Sequence, residues 1–538
     1  MNGARATAPA VPSAVAVALL VGAAAGLGRM LPDGGGGGAL DGVATGFAVG
    51  IAAGALALAL FALLDRTRPP AAPIAHPHRA ALAAGIAMLL AWIPVFLAVF
   101  PGLFDYDVGP EWLSQTQQIA TGELNAHHPV IHTLFLKATI GAGETLFGSY
   151  EAGVATSVAV QAVLTAGLLA TALHYLMRAG IGRRGALLAC AFWALDPIIS
   201  LYAFATTKDV LFSALVVVLC AIVLAAGRAG RLGGRSAVAA SLLTFLIVCL
   251  RTNALIALVF ACPAAVALVP PAVRRALGAS FAAAMAAALV FLGPVSTAAG
   301  VAASPVGVWN ALAVPMQQVA HVAMRPDTPG EERATIERAL PGLEYAPGLS
   351  DAARYAFMHA PVGRRELAHL YLELGRAHPI AYAKALLLHT EDAWSPFAVI
   401  DAHTRGTGKT EVVEFEPKDP VRAHPLAPGL REVLRVVAEE PGFERLPVLG
   451  ALVSIPAHLL VLVLALLRAR AVRDRTGLAA LMPLAWLALS NLFGPCMIIR
   501  YFLPLFQGLP LVVMILVRVG EARVPREGEA AGVRAESA

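Results

Sequence analysis

Residues 209–227 read DVLFSALVVVLCAIVLAAG, an apolar run headed by one carboxylate, Asp209, and carrying no further charge before Arg228. A helix rises about 1.5 Å per residue, so roughly 20 apolar residues cross the ~30 Å hydrocarbon core of a bilayer. Runs of this kind recur along the chain. Its 538 residues are 58% hydrophobic and 14% charged, with a mean hydropathy of +0.71, whereas a soluble domain carries about 25% charge and about 45–50% apolar residues. A water-soluble protein is excluded, and the fold class is an all-α polytopic membrane protein.

A hydropathy reading along the chain expects spans near 11–31, 43–64, 80–100, 151–178, 185–204, 209–227, 236–250, 254–270, 275–296, 447–467, 477–496 and 499–517, about twelve transmembrane helices. The first block follows only Arg5 and runs straight into further spans, so it reads as a membrane helix and not a cleaved signal peptide. The run from Gly34 to Gly38 is a flexible connector.

Net charge is +5, from 40 basic and 35 acidic residues, and only five of the basic residues are lysines. Nucleic-acid binding would gather basic residues on one face with aromatics between them. Here fifteen arginines sit in short connectors instead: Arg66, Arg68 and Arg79; Arg178, Arg183 and Arg184; Arg228, Arg231 and Arg235; Arg274 and Arg275; Arg468, Arg470, Arg473 and Arg475. The opposite connectors are nearly bare. By the positive-inside rule the arginine-rich loops, the N-terminus and the tail from Arg518 to Ala538 are cytoplasmic. For the alternation to hold, Pro129 to Gly148, which contains Lys137 and Glu144, must lie as an in-plane or re-entrant interfacial helix at the outer face. All five cysteines (Cys190, Cys220, Cys249, Cys262, Cys496) fall in or at the ends of apolar blocks, without metal-type spacing, and read as small core residues.

The segment from Thr297 to Leu446 has no 20-residue apolar run and falls outside. It is long enough for a core of its own. Arg364 to Gly375 and Pro379 to Asp392 have helical periodicity, and Thr410 to Phe415 suits a short strand. The expected organisation is two N-terminal helices and a cytoplasmic linker over 1–79, a transmembrane core over 80–296 with a first outer loop at 101–150, a mainly helical extracytoplasmic domain over 297–446, three last helices over 447–517 and a cytoplasmic tail over 518–538.

With that topology, the unusual polar residues gather at the outer face: Asp105 and Asp107 after the third span, His127, His128 and His132 at the end of the same loop, Lys208-Asp209 heading a span, Arg251 with Asn253 interrupting an apolar run, and Arg500-Tyr501 opening the last span. Ionisable groups at membrane depth are costly and mark sites. Two carboxylates and three or more cations on one face point to chemistry on an anionic, membrane-borne substrate. The plainer readings are solvated loop acids for Asp105 and Asp107, an internal ion pair and helix N-terminal charge for Lys208-Asp209, and interfacial anchors for Arg251 and Arg500. Their chemical alternatives are a carboxylate that deprotonates a hydroxyl or holds a divalent cation, and guanidiniums that clamp a phosphate.

His128 and His132 have the i, i+4 spacing of a zinc helix, but Pro129-Val-Ile131 stands where the glutamate of such a motif would be. No metal ligand set is assigned. Gly406-Thr-Gly-Lys409-Thr410 lacks the first glycine of a phosphate-binding loop, His403 standing there, and has no apolar strand before it. Small-residue spacings in so alanine-rich a chain indicate helix packing.

Taken in order, the outer acidic loop, the His-Pro element, the Lys-Asp at a helix head, the Arg-Asn break, the late outer domain and Arg500-Tyr-Phe-Leu-Pro504 resemble the integral-membrane glycosyltransferases of the C superfamily, the polyprenyl-phosphosugar-dependent group that includes protein mannosyltransferases and aminoarabinose transferases. The pattern is most similar to a bacterial branch and stands here as Phe100-Pro-Gly102, Asp107, His127-His-Pro129, Lys208-Asp-Val-Leu-Phe212 and Pro315-Met-Gln-Gln318. The likeness covers about residues 80 to 515. It implies transfer of a sugar from a polyprenyl-phosphate carrier to a cell-envelope acceptor at the outer face of the bacterial cytoplasmic membrane. Asp107 would be the catalytic carboxylate, with Asp105 as second choice. Lys208, Arg251 and Arg500 would hold the donor phosphate, and His127, His128, Asp209, Gln317, Gln318 and Tyr501 would contact acceptor or sugar. The Asp-Glu pair of the mannosyltransferase branch is replaced by Asp105-Tyr-Asp-Val108, which leaves the need for a divalent cation open. The expected mechanism is inverting displacement with Asp107 as base. The alternative is a transporter or flippase of a lipid-linked or anionic solute, against which stand the absence of an internal repeat and the gathering of polar residues at one face. A non-catalytic assembly scaffold is a third possibility.

Overall fold

The computed structural model describes residues 10–30, 39–66, 74–103, 118, 121–304, 306–395, 422–439 and 449–517. Among these there is no strand, only isolated bridges between single residue pairs.

α1 (Ala10–Met30) and α2 (Ala39–Arg66) form a hairpin. A Cβ on Gly46 would lie 2.7 Å from the Gly22 carbonyl oxygen, so the two backbones meet at a distance that only glycine permits. α3 (Pro77–Val99) is followed by α4 (Val130–Phe147) and α5 (Tyr150–Arg178), and both α3 and α4 pack along α5. α4 covers the stretch expected to lie in plane. It ends at Gly148, whose φ of 79° lets its N–H return to the Glu144 carbonyl.

The span expected at 185–204 is broken into α6 (Arg183–Leu195) and α7 (Pro197–Ala203), bent by 59°. Pro197 has no N–H to continue the first helix, and the Asp196 carboxylate accepts the Ile199 N–H at 3.0 Å to begin a second one. α8 (Lys208–Ala229) is the opening stretch of the sequence analysis, and 94% of its apolar window is buried by other helices, against 22% for α2. It is the axle of the bundle, while α2 presents its side chains outward. α9 (Gly234–Leu250), α10 (Thr252–Leu268) and α11 (Pro271–Val290) follow, and α11 runs through a π turn at Phe291–Val295 that accommodates Pro294.

Next comes a helical unit of α12 (Ala313–Met324), α13 (Gly330–Ala339), α14 (Asp351–Met358), α15 (Arg364–Ala377) and α16 (Pro379–Trp394). It buries a separate apolar cluster that includes Met316, Val319, Leu340, Leu374 and Ala381. α15 and α16 lie where helical periodicity predicts them; the strand expected at Thr410 to Phe415 lies outside the described residues. Ala393 at the end of α16 belongs to the main bundle cluster, so this helix joins the two units. α17 (Pro428–Glu439) lies against α3, and α18 (Ile455–Ala471), α19 (Arg475–Asn491) and α20 (Ile499–Val517) complete the bundle.

Among the described residues seven helices are long and apolar enough to cross a membrane: α1, α2, α3, α5, α8, α11 with its π-turn extension, and α20. The bent α6–α7 pair is an eighth if it forms one span. The chain is therefore an all-α multi-pass membrane protein. The other four segments expected to cross are α9, α10, α18 and α19, helices of 17 residues each, at the lower end of the roughly 17–25 residues that span a bilayer.

Candidate functional site

The head of α8 is built locally by Thr207. Its hydroxyl oxygen accepts the Asp209 N–H at 3.3 Å, and its own O–H donates to Asp209 Oδ2 at 3.1 Å, the arrangement of a threonine N-cap. The Asp209 carboxylate is completely buried, with Oδ1 3.1 Å from Arg251 Nη1. That arginine comes from the break between α9 and α10. Its backbone is extended (φ −147°, ψ 127°), so α9 closes on its N–H and α10 restarts at Thr252. Leaving the helix lets the guanidinium reach Asp209, and a buried carboxylate without such a partner is costly.

Aromatic rings complete this environment. The Arg251 guanidinium carbon lies 4.5 Å from the Tyr501 ring centre and 5.5 Å from that of Phe212. The Arg500 guanidinium carbon is 5.2 Å from the same Tyr501 ring, and Arg500 is buried. Two arginines that are distant in sequence thus lie against one tyrosine ring. A second thread ties the break to α20: Asn253 Nδ2 donates to Asn491 Oδ1 at 2.8 Å and to Ser490 Oγ at 3.3 Å, and Asn491 Nδ2 donates to the Tyr501 carbonyl at 2.6 Å. Lys208 is half-buried beside Asp209 at the helix head. Among the described residues this end of α8 carries three cations, Lys208, Arg251 and Arg500, to the one carboxylate of Asp209, which suits an anion.

The loop expected to carry the acids is rooted at the same place. Leu103 N–H donates to the Phe204 carbonyl and Thr206 N–H donates to the Leu103 carbonyl, each at 2.9 Å. The residue before it, Gly102, has φ +151°, and a Cβ there would meet Val158 Cγ1 at 3.1 Å. The acid loop therefore departs from the residues just ahead of Thr207, Lys208 and Asp209. Asp105 and Asp107 themselves lie outside the described residues.

His127 and His128 follow a turn pinned elsewhere. Ala126 N–H donates to the Ala302 carbonyl at 2.8 Å, and Ala302 N–H to the Leu124 carbonyl at 2.9 Å, so this part of the loop is held against the segment after α11. The two imidazoles are 4.6 Å apart; His127 is exposed, while His128 and His132 are buried. Gln317 and Gln318 belong to the core of the α12–α16 unit. Gln317 Nε2 donates to the Ala346 carbonyl at 2.8 Å; Gln318 Nε2 donates to the Tyr382 carbonyl at 3.2 Å and its oxygen accepts from the Tyr371 hydroxyl at 2.8 Å. Both Nε2 groups and the Gln318 oxygen are engaged in holding that unit together. The unit reaches the cluster indirectly, through the loop ahead of α20: His389 Nε2 donates to the Gly494 carbonyl at 2.8 Å, and Ser350 N–H to the Pro495 carbonyl at 2.9 Å. Burial holds the His389 imidazole below its ordinary pKa.

Of the residues singled out by sequence, Lys208, Asp209, Arg251, Arg500 and Tyr501 therefore meet at one end of α8. Thr207, Phe212, Ser490 and Asn491 are additional members. Ser490 and Asn491 had a legible signal, a polar pair inside an apolar block. Among the described residues no group of three or more histidine, cysteine, aspartate or glutamate side chains is placed to hold a metal ion.

A model of a family of unknown function, DUF6020, matches residues 118–530. No curated protein and no solved structure matches the chain.

Proposed function

The chain belongs to this family of unknown function, and we propose that it is a membrane glycosyltransferase that moves a sugar from a polyprenyl-phosphate carrier to a cell-envelope acceptor at the extracytoplasmic face of a bacterial cytoplasmic membrane. The observation that carries the reading is the convergence of Arg251 and Arg500 on the Tyr501 ring at the head of the membrane helix that begins with Lys208, next to the root of the loop that bears Asp105 and Asp107. A lipid-borne phosphate needs cations at this depth, and an apolar chain needs the lipid-facing helix surfaces beside them.

In this reading Lys208 and Arg500 face the donor phosphate, and Arg251 joins them with its orientation set by Asp209. Asp107 takes the proton of the acceptor hydroxyl as its oxygen bonds to the anomeric carbon. The bond from that carbon to the phosphate oxygen breaks, and the electron pair leaves with the polyprenyl phosphate, whose growing charge the cations offset. The chain crosses the membrane twelve times, with α9, α10, α18 and α19 as short spans and α6–α7 as one bent span. Both termini are cytoplasmic, and the α12–α16 unit lies outside, where it binds or covers the acceptor.

The test is Asp107→Asn in membranes supplied with polyprenyl-phosphate sugars. General-base catalysis contributes about 10²–10⁴-fold, so transfer should fall by that factor with normal expression. Undiminished transfer by the variant would remove Asp107 from the mechanism, and transport of the labelled lipid without a glycosidic product would favour a transporter.

A further inference from the structure

α5 is apolar along most of its length, yet Gln161 sits in its middle and is 1% exposed. Its Nε2 lies 2.6 Å from the Ala205 carbonyl oxygen, 3.2 Å from that of Ala203 and 3.4 Å from that of Tyr202. These carbonyls belong to the end of α7 and the turn after it; the Tyr202 carbonyl also accepts the Ala205 N–H at 3.2 Å and the Ala205 carbonyl the Thr207 N–H at 2.7 Å, so the amide adds a donor from α5 that ties this turn to a neighbouring helix. In a bilayer a backbone acceptor must find its donor inside the protein. The same turn does two things for the site. Through Phe204 and Thr206 it grips Leu103, the root of the acid loop, and it runs directly into Thr207, Lys208 and Asp209. One amide therefore holds the backbone from which the acid loop and the phosphate-binding helix head both depart.

We infer that Gln161 is a positioning residue that holds Leu103, the root of the acid loop, in register with the head of α8 and its cations. This rests on the proposed transfer reaction for its kinetic readout, but not for its structural one. With the acid misplaced and the cations intact, the turnover rate suffers and donor affinity does not, because a displacement near 1 Å costs about 10²-fold in rate.

In full-length protein purified in detergent, Gln161→Leu should lower kcat about 100-fold and leave KM for the donor within about threefold. Gln161→Glu supplies a control that folding alone would not mimic. Only the protonated carboxyl can donate to those carbonyls, so its kcat should recover as pH falls, with a profile the wild type lacks. Hydrogen exchange gives the readout independent of chemistry: the Leu103 and Thr206 amides should exchange at least tenfold faster in Gln161→Leu, with the interior amides of α8 unchanged. Wild-type kcat in a folded Gln161→Leu protein, or unchanged exchange at both amides, would overturn the inference. If the wild type transfers no sugar while the exchange difference is present, the positioning role stands and the transfer reading fails.

Discussion

Arg251→Leu isolates the interaction at the centre of the cluster. It leaves the Asp209 carboxylate, completely buried and 3.1 Å from the vanished guanidinium, with the Thr207 hydroxyl still donating to it. Removing one partner of a buried pair costs about 3–5 kcal/mol, and the surviving hydrogen bond offsets about 1 kcal/mol, so the expected loss is about 3 kcal/mol. Asp209→Leu is milder, because Arg251 is 10% exposed and retains the faces of Tyr501 and Phe212, which are worth roughly 1 kcal/mol each. Asp209→Leu/Arg251→Leu removes both charges and should cost no more than Arg251→Leu alone. A double-mutant cycle then gives a coupling of at least about 2 kcal/mol. Unfolding in mixed micelles, followed by the fluorescence of the buried Trp92 and Trp193, measures all three variants. If the two single losses add to within about 0.5 kcal/mol of the double, Asp209 and Arg251 do not form the pair described here.

Three other outcomes are expected. Arg500→Met removes charge-assisted hydrogen bonds worth about 1.5–3 kcal/mol, so donor binding should weaken about 10- to 100-fold; an unchanged KM would take Arg500 out of the phosphate site. His389 has a depressed pKa from burial, so its neutral form is the one that suits the fold. Its contribution is present above the unfolded value of about 6.5 and is lost as pH falls through the lower folded value. As pH falls below about 6.5 the joint between α16 and Gly494 should loosen, seen as lower amide protection, corrected for the intrinsic pH dependence of exchange, in residues 389–395, and His389→Gln should flatten that pH dependence. For the topology, Gly36→Cys should react with an impermeant thiol reagent from outside intact cells and Gly233→Cys only after lysis; labelling of both from the same side would refute the twelve-span arrangement, and the reverse pattern would refute cytoplasmic termini.

Much of the architecture was legible in the chain because hydropathy is a local property. Each apolar block from α1 to α20 falls on a helix, and the single break inside 185–204 follows from Asp196-Pro197, two residues whose helix-ending and helix-starting preferences are intrinsic. The site was legible as a set of residue types: a carboxylate or arginine in an apolar setting is conspicuous. Gln317 and Gln318 were conspicuous for the same reason, but their amides serve the core of the α12–α16 unit. Composition cannot tell an amide that holds a fold from one that waits for a sugar.

The sequence alone determined that the chain is helical, lies in a membrane and concentrates its few ionisable residues at the ends of apolar runs, since these depend on transfer free energies summed over neighbours in the chain. Which of those residues meet was decided by tertiary packing. Asn253 finds Asn491 across 238 residues, Gln161 finds Ala205 across 44, and Arg251 and Arg500 find one tyrosine ring. Inside a bilayer every buried donor and acceptor must be matched within the protein. The matches depend on which helix faces which, and that is a property of the packed bundle rather than of any single segment.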